Sequence, residues 1–140
     1  MKRIAQTIFI FTLLIGLSTT KASAQLDSLL NKCSSYIKFP FISDGQEYRA
    51  LVTNGETAEF YITFYGGATY RIAACTGNGS TSPIFKIYDK NRKLLFSSDN
   101  FNNPQYWDIK FTSTVDCIIE AELPPTGPSS GFIVIYIGFK

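Results

Sequence analysis

Glu56-Thr57-Ala58-Glu59-Phe60-Tyr61-Ile62-Thr63-Phe64-Tyr65 is the stretch on which the fold turns. Phe60, Ile62 and Phe64 alternate with Glu59, Tyr61, Thr63 and Tyr65, a period of two that lays large apolar groups on one side and a mixed set on the other. The pattern predicts a half-buried β-strand. Just upstream, Asn54-Gly55 separates it from a second strand-like run at 46–53. Both turn residues tolerate positive φ, so the pair predicts a tight β-hairpin joining the two runs.

The same reading extends in both directions. Gly66-Gly67 punctuates the chain before a run at 68–75, and a polar loop at 76–83 leads to strands at 84–88 and 93–97 around the turn Asp89-Lys90-Asn91-Arg92. After a polar loop at 99–104, Trp107, Ile109 and Phe111 share one face of 105–112 while Tyr106, Asp108 and Lys110 take the other. Residues 115–123 put Asp116, Glu120 and Glu122 on a wet side, and 132–139 is apolar on both faces, as expected of a strand covered on both sides. Upstream, residues 25 to about 36 place Leu26, Leu29, Leu30 and Cys33 at helical spacing. Turn signals at roughly ten-residue intervals predict an all-β fold: an antiparallel β-sandwich of jelly-roll type, with eight or nine strands and one short N-terminal helix.

The N-terminus reads differently. Lys2 and Arg3 precede an uncharged apolar run at 8–17, and a polar stretch then ends in Ala22-Ser23-Ala24, the order of a cleavable signal peptide over residues 1–24. An apolar run of about ten residues is too short for the roughly 20 that span a bilayer, so no transmembrane anchor is expected after cleavage. Gln25, rather than a cysteine, follows the cleavage point, which argues against lipid anchoring. The address is secreted or periplasmic, and residues 25–140 form one domain. Cleavage also changes the charge. The precursor carries 13 basic and 11 acidic residues; Lys2, Arg3 and Lys21 leave with the signal, so the mature chain has 10 against 11, a net of −1. Beyond Lys90, Arg92 and Lys93 there is no basic cluster, and the electrostatic attraction that nucleic-acid binding needs is missing.

Cys33, Cys75 and Cys117 travel to a compartment where thiols oxidise. Cys33 and Cys117 share the inward phase of their elements, whereas Cys75 falls opposite to Tyr70, Ile72 and Ala74. One disulfide with one thiol left over, or three buried thiols, both fit. Spacing selects no pair.

Phe85-Lys86-Ile87-Tyr88-Asp89, the turn after it, Leu94-Leu95 and Ser98-Asp99 form a pattern that resembles the bacterial pre-peptidase C-terminal (PPC) type of β-sandwich. Thr63-Phe64-Tyr65-Gly66-Gly67-Ala68-Thr69-Tyr70 resembles that family's element in which Gly and Tyr begin a strand, although Val115-Asp116-Cys117 stands where the family opens a later strand with the same pair. The chain is also similar to small stand-alone secreted proteins of Bacteroidota-type bacteria. These resemblances imply a fold and an address, without an activity.

Chemistry is narrowed by what the sequence lacks. It contains no histidine, which removes Ser-His-Asp and Cys-His nucleophile systems and His-ligated zinc. Gly77-Asn78-Gly79-Ser80 lacks the lysine of a phosphate-binding loop. Asp99, Asp108, Glu120 and Glu122 are the acids available for glycoside hydrolysis, but Glu120 and Glu122 two residues apart are also what a solvated strand displays. Asp99-Asn100-Phe101-Asn102-Asn103 offers oxygen ligands without the closing glutamate and central glycine of an EF-hand, so no metal or cofactor is expected. What remains is aromatic: Tyr61, Tyr65 and Tyr106 fall on the polar phase of their strands, suited to sugar stacking or a protein contact, or else to cross-strand packing and cover beneath the helix. The expected function is therefore an exported, non-catalytic binding or adaptor module of the bacterial envelope or exterior, its ligand a protein or a glycan. A carboxylate-dependent hydrolase and a self-assembling structural protein are the alternatives.

Overall fold

The computed structural model describes residues 20–77 and 81–140; the signal-peptide reading falls, for residues 1–19, outside the described residues, as does the loop tip at 78–80. In chain order the elements are α1 (Thr20–Ser34), β1 (Ile42–Ser43), β2 (Tyr48–Thr53), β3 (Thr57–Phe64), β4 (Thr69–Thr76), β5 (Ile84–Asp89), β6 (Leu94–Ser97), a 3₁₀ turn (Ser98–Phe101), β7 (Tyr106–Lys110), β8 (Val115–Glu122) and β9 (Ser130–Phe139). Two antiparallel sheets stack as a sandwich. The first runs β1-β9-β4-β7, with β2 on the same side of β9 as β1; the second runs β3-β8-β5-β6. The all-β sandwich expected from the alternation is the fold observed, with the two-residue β1 as its ninth strand.

The expected Asn54-Gly55 hairpin is not there. β2 pairs with β9 in the first sheet and β3 with β8 in the second, so the turn carries the chain from one sheet to the other. The turn type accords with this arch. Gly55 has φ 88° while Asn54 keeps negative φ, which is the positive-φ third position of a type II turn rather than the two positive positions of the hairpin-forming type I′. The Glu56 side chain accepts from the Thr53 N–H at 2.9 Å, and the Glu56 N–H donates to the Thr53 carbonyl at 3.0 Å. The second expected hairpin does form, between β5 and β6, where Asp89 Oδ1 accepts from the N–H groups of Asn91 and Lys93 at 2.8 and 2.9 Å.

Phe64, Ile72, Phe85, Ile87, Ile119 and Ile135 fill the space between the sheets. β9 is buried on both faces, as its composition requires: Ile133, Ile135 and Ile137 point into the sandwich, while Val134 points outward to the helix. There α1 lays Leu29 and Cys33 on Ala73, Cys75 and Val134. The helix starts five residues earlier than the apolar spacing predicts and runs through the expected cleavage point after Ala24.

The helix position also resolves the cysteines. Cys33 and Cys75 form a disulfide with Cα atoms 5.8 Å apart, and Cys117 is a buried free thiol. The outward phase of Cys75 is the phase that meets the helix.

Where β3 returns to the first sheet, Gly66 passes close to the strand connection at 112–114. A methyl group there would lie 2.8 Å from Ser113 Cα and 3.0 Å from the Thr112 carbonyl oxygen, backbone atoms that cannot swing aside. Gly66→Ala is therefore expected to destabilise the fold by about 2 kcal/mol, typical of overpacking. An unchanged midpoint in urea unfolding would show that the connection yields freely.

Candidate functional site

A sandwich of two separate sheets has two open sides. On one, β6 faces β7, and Phe96, Phe101 and Trp107 close it, with the Phe101 and Trp107 rings 4.3 Å apart between centroids. On the other, β3 faces the short strands β1 and β2, and the break in strand pairing at residues 44–47 between those two leaves the side open. A groove of about 720 Å³ lies there. Tyr48, Ala68, Tyr70, Ile137 and Phe139 form its wall on the first sheet; Tyr61, Ile62, Thr63 and Tyr65 form the other along β3; Asp44 and Gln46 stand at the break.

Its residues are held from several directions. The Tyr70 ring packs edge-on against Phe64 and Phe111, with centroids 4.8 and 5.8 Å away, and its hydroxyl accepts from the Tyr65 N–H at 2.9 Å. The Tyr48 hydroxyl donates to Asp44 Oδ2 at 3.1 Å, and burial together with this carboxylate pushes the phenol up to about 12. Tyr48 thus stays a donor at any physiological pH. The Tyr61 hydroxyl donates to Glu59 at 3.0 Å, which raises its pKa, and Thr63 donates to Asp116 at 2.7 Å.

The three tyrosines singled out from the sequence do not form one surface. Tyr61 and Tyr65, 71% and 65% exposed, rim the groove. Tyr106, 41% exposed, lies on the outer face of the first sheet, its ring centroid 5.6 Å from that of Tyr36 and 4.3 Å from the Arg71 guanidinium. It belongs to a strap. Arg71 is gripped between Phe41 and Tyr106, pairs with Asp108 through two hydrogen bonds of 2.8 and 2.9 Å, and donates to the Tyr36 carbonyl, fastening the segment after the helix to β4. Tyr48, Tyr70, Phe139 and Asp44 were not among the sequence candidates. Alternation could not single them out, because the groove exists only where edges from two sheets meet.

The four candidate acids do not meet at one site: Asp99 lies in the 3₁₀ turn and Asp108 on the first sheet, while Glu120 and Glu122 line a pocket of about 100 Å³ on the second together with Lys86. Asp108 is tied to Arg71 on the first sheet, whereas Glu120 shares Arg92 with Glu59 on the outer face of the second. Hydrogen bonds from Arg92 and Tyr61 lower the pKa of Glu59, and one from Ser97 lowers that of Asp99. A general acid needs the opposite shift. Ser98, which caps the Asp99 loop from inside, accepts from the Phe85 N–H at 2.9 Å and bonds to Asn103, so the oxygen-rich loop serves the core. Among the described residues no three Cys, Asp or Glu side chains cluster as a metal site, and no helix is long and apolar enough to cross a membrane.

Cys117 offers a direct check on the interior. Burial, reinforced by Asp89 and Asp116, pushes its thiol from 9.0 up to about 11. A two-unit rise cuts the thiolate fraction at pH 8 about 100-fold, so the native protein should leave this thiol untouched by a disulfide reagent that labels it at once in denaturant. The neutral thiol is favoured in the fold, a contribution fully present below pH 9 and lost as pH rises through 11, so Cys117→Ala should flatten that alkaline decline. Fast labelling of the native protein would contradict both.

No protein-family model matches the chain, and no curated protein matches its sequence. Among solved structures it is similar to Aeromonas hydrophila PliG, a periplasmic lysozyme inhibitor of g-type lysozyme, with a TM-score of 0.52 at 11% identity, covering 74% of this chain and 90% of that one. A de novo designed double-stranded β-helix, solved in solution by NMR, has a TM-score of 0.36 at 18% identity over 68% of this chain and 99% of its own. The likeness to PliG is one of fold.

Proposed function

We propose that this chain is an exported, non-catalytic binding protein whose ligand is another protein, held at the open side of the sandwich. The observation that carries the reading is the groove between β3 and β1/β2, rimmed by two exposed tyrosines: the Tyr61 hydroxyl is oriented by Glu59, and the backbone N–H of Tyr65 is held by the Tyr70 hydroxyl. Large, rigid aromatics with a polar end supply contact area at small entropic cost, which is why they anchor protein interfaces. Export is supported by the signal-like residues 1–24 and by the Cys33–Cys75 disulfide, a bond that persists in oxidising compartments. PliG, of similar fold, is a periplasmic lysozyme inhibitor, in keeping with a protein ligand.

The test is to screen the mature chain, and its Tyr61→Ala/Tyr65→Ala form, against a panel of secreted proteins including g-type lysozyme and against a glycan array. A protein should bind the parent chain and lose at least about tenfold in affinity on the double substitution, equivalent to about 1.4 kcal/mol. Because both rings are exposed, stability should change by less than about 0.5 kcal/mol per site. Binding confined to glycans, or protein binding indifferent to the substitutions, would defeat the reading.

A further inference from the structure

Tyr61, Ile62 and Thr63 are consecutive residues of β3, and all three line the groove. Side chains along a strand alternate between faces, so three in succession can border one groove only if it runs along the strand's edge, past its backbone. That edge is free among the described residues, where β3 pairs with β8 alone. It is also the least protected edge among the described strands. β1 has two residues, and β6 has four with a register shift in its pairing; β7 has five, following Pro104 by two residues and ending on Lys110; β2 carries Arg49 and begins only after the break. β3 runs eight residues in unbroken register, without proline, lysine or bulge, and its one charge, Glu59, is committed to Arg92 at 2.7 Å. Natural sheets guard an edge of this length unless something is meant to pair with it.

Resting on the protein-binding reading above, we infer that the ligand enters as an extended polypeptide segment that adds a strand to the free edge of β3 and places alternate apolar side chains in the groove. Backbone hydrogen bonds supply the affinity, and the aromatic wall selects the side chains. Charge complementarity narrows the partner further. Of the described residues lining the groove, Asp44 alone is charged, and no cation balances it there, so the segment carries a lysine or arginine that reaches Asp44.

The experiment selects phage-displayed random peptides of about 12 residues on the immobilised mature chain and on its Tyr61→Ala/Tyr65→Ala form. Peptides specific to the parent are then synthesised with N-methyl groups on either their odd or their even backbone amides. An added strand turns alternate amides toward β3, so one methylated set should weaken binding at least about 30-fold and the other by less than about threefold, with the amides of β3 protected from hydrogen exchange. Equal sensitivity of both sets, or of neither, overturns strand addition while leaving the groove as a binding site. Equal selection on both forms of the chain overturns the groove reading as well. Self-association at micromolar concentration that Thr63→Lys abolishes would assign the edge to a second copy and overturn the proposal.

Discussion

Cys33→Ala/Cys75→Ala is expected to lower the free energy of unfolding by about 4 kcal/mol, a large share of the 5–15 kcal/mol typical of a domain. The bond closes a loop of sequence separation 42, and loop-closure entropy at that length corresponds to about 4 kcal/mol. The location adds a structural consequence. α1 is 15 residues long, a length at which an isolated helix is marginal in water, and the buried residues it contributes are Leu29 and Cys33. Without the bond, the helix should open before the sandwich does, uncovering Ala73, Val134 and their neighbours on the outer face of the first sheet. Urea unfolding should therefore show the midpoint falling, and hydrogen exchange should show residues 26–34 losing protection first. A change below about 1 kcal/mol, or helix amides that remain as protected as those of β9, would mean that packing alone holds the helix. The measurement is best made in a Cys117→Ala background, so that the remaining thiol cannot exchange into the bond.

The helix and the disulfide mark the limit of what the sequence allowed. Periods of two at 56–65 and 115–123 were legible because each of these strands has one face in the sandwich, and β9 was legible because both of its faces are covered. The sheet to which each strand belongs was not. Asn54-Gly55 is compatible with a hairpin and with an arch, and the choice is made by where β2 and β3 find partners, at β9 and β8, tens of residues away. Cys75 showed the same thing from the other side. Its phase, opposite to Ile72 and Ala74, selected no partner, because the second buried face it belongs to is created by the helix. The groove was hidden for a related reason: Tyr61 and Tyr65 carry the signal of exposed aromatics on a polar phase, but Tyr48, Tyr70 and Phe139 look like ordinary core or edge residues until β3 is brought opposite the break between β1 and β2.

Phe64→Ala is expected to cost about 4 kcal/mol and to disturb the groove as well. Phe64 is fully buried at the end of β3, stacked on Phe111 with ring centroids 4.5 Å apart and planes 8° from parallel, and met edge-on by Tyr70. Removing a buried phenyl ring forfeits its transfer free energy and leaves a cavity that a close-packed core closes only in part, giving about 3–5 kcal/mol. Aromatic pairs add about 0.5–1.5 kcal/mol each beyond area, which places this site toward the upper end. The ring also backs Tyr70, whose hydroxyl accepts from the Tyr65 N–H, so relaxation into the cavity withdraws the partner that orients the chain at Tyr65. Phe64→Leu should keep most of the volume and recover more than half of the loss, while Tyr70→Phe should leave the core filled and remove only the acceptor. If the core and the groove are coupled in this way, peptide binding at the groove should weaken in Tyr70→Phe and Phe64→Ala but much less in Phe64→Leu, an order that follows the position of the Tyr70 hydroxyl and not global stability. Binding that instead tracks the urea midpoint across the three variants would mean that the groove merely inherits the stability of the sandwich, with no role for the hydrogen bond that joins its two walls.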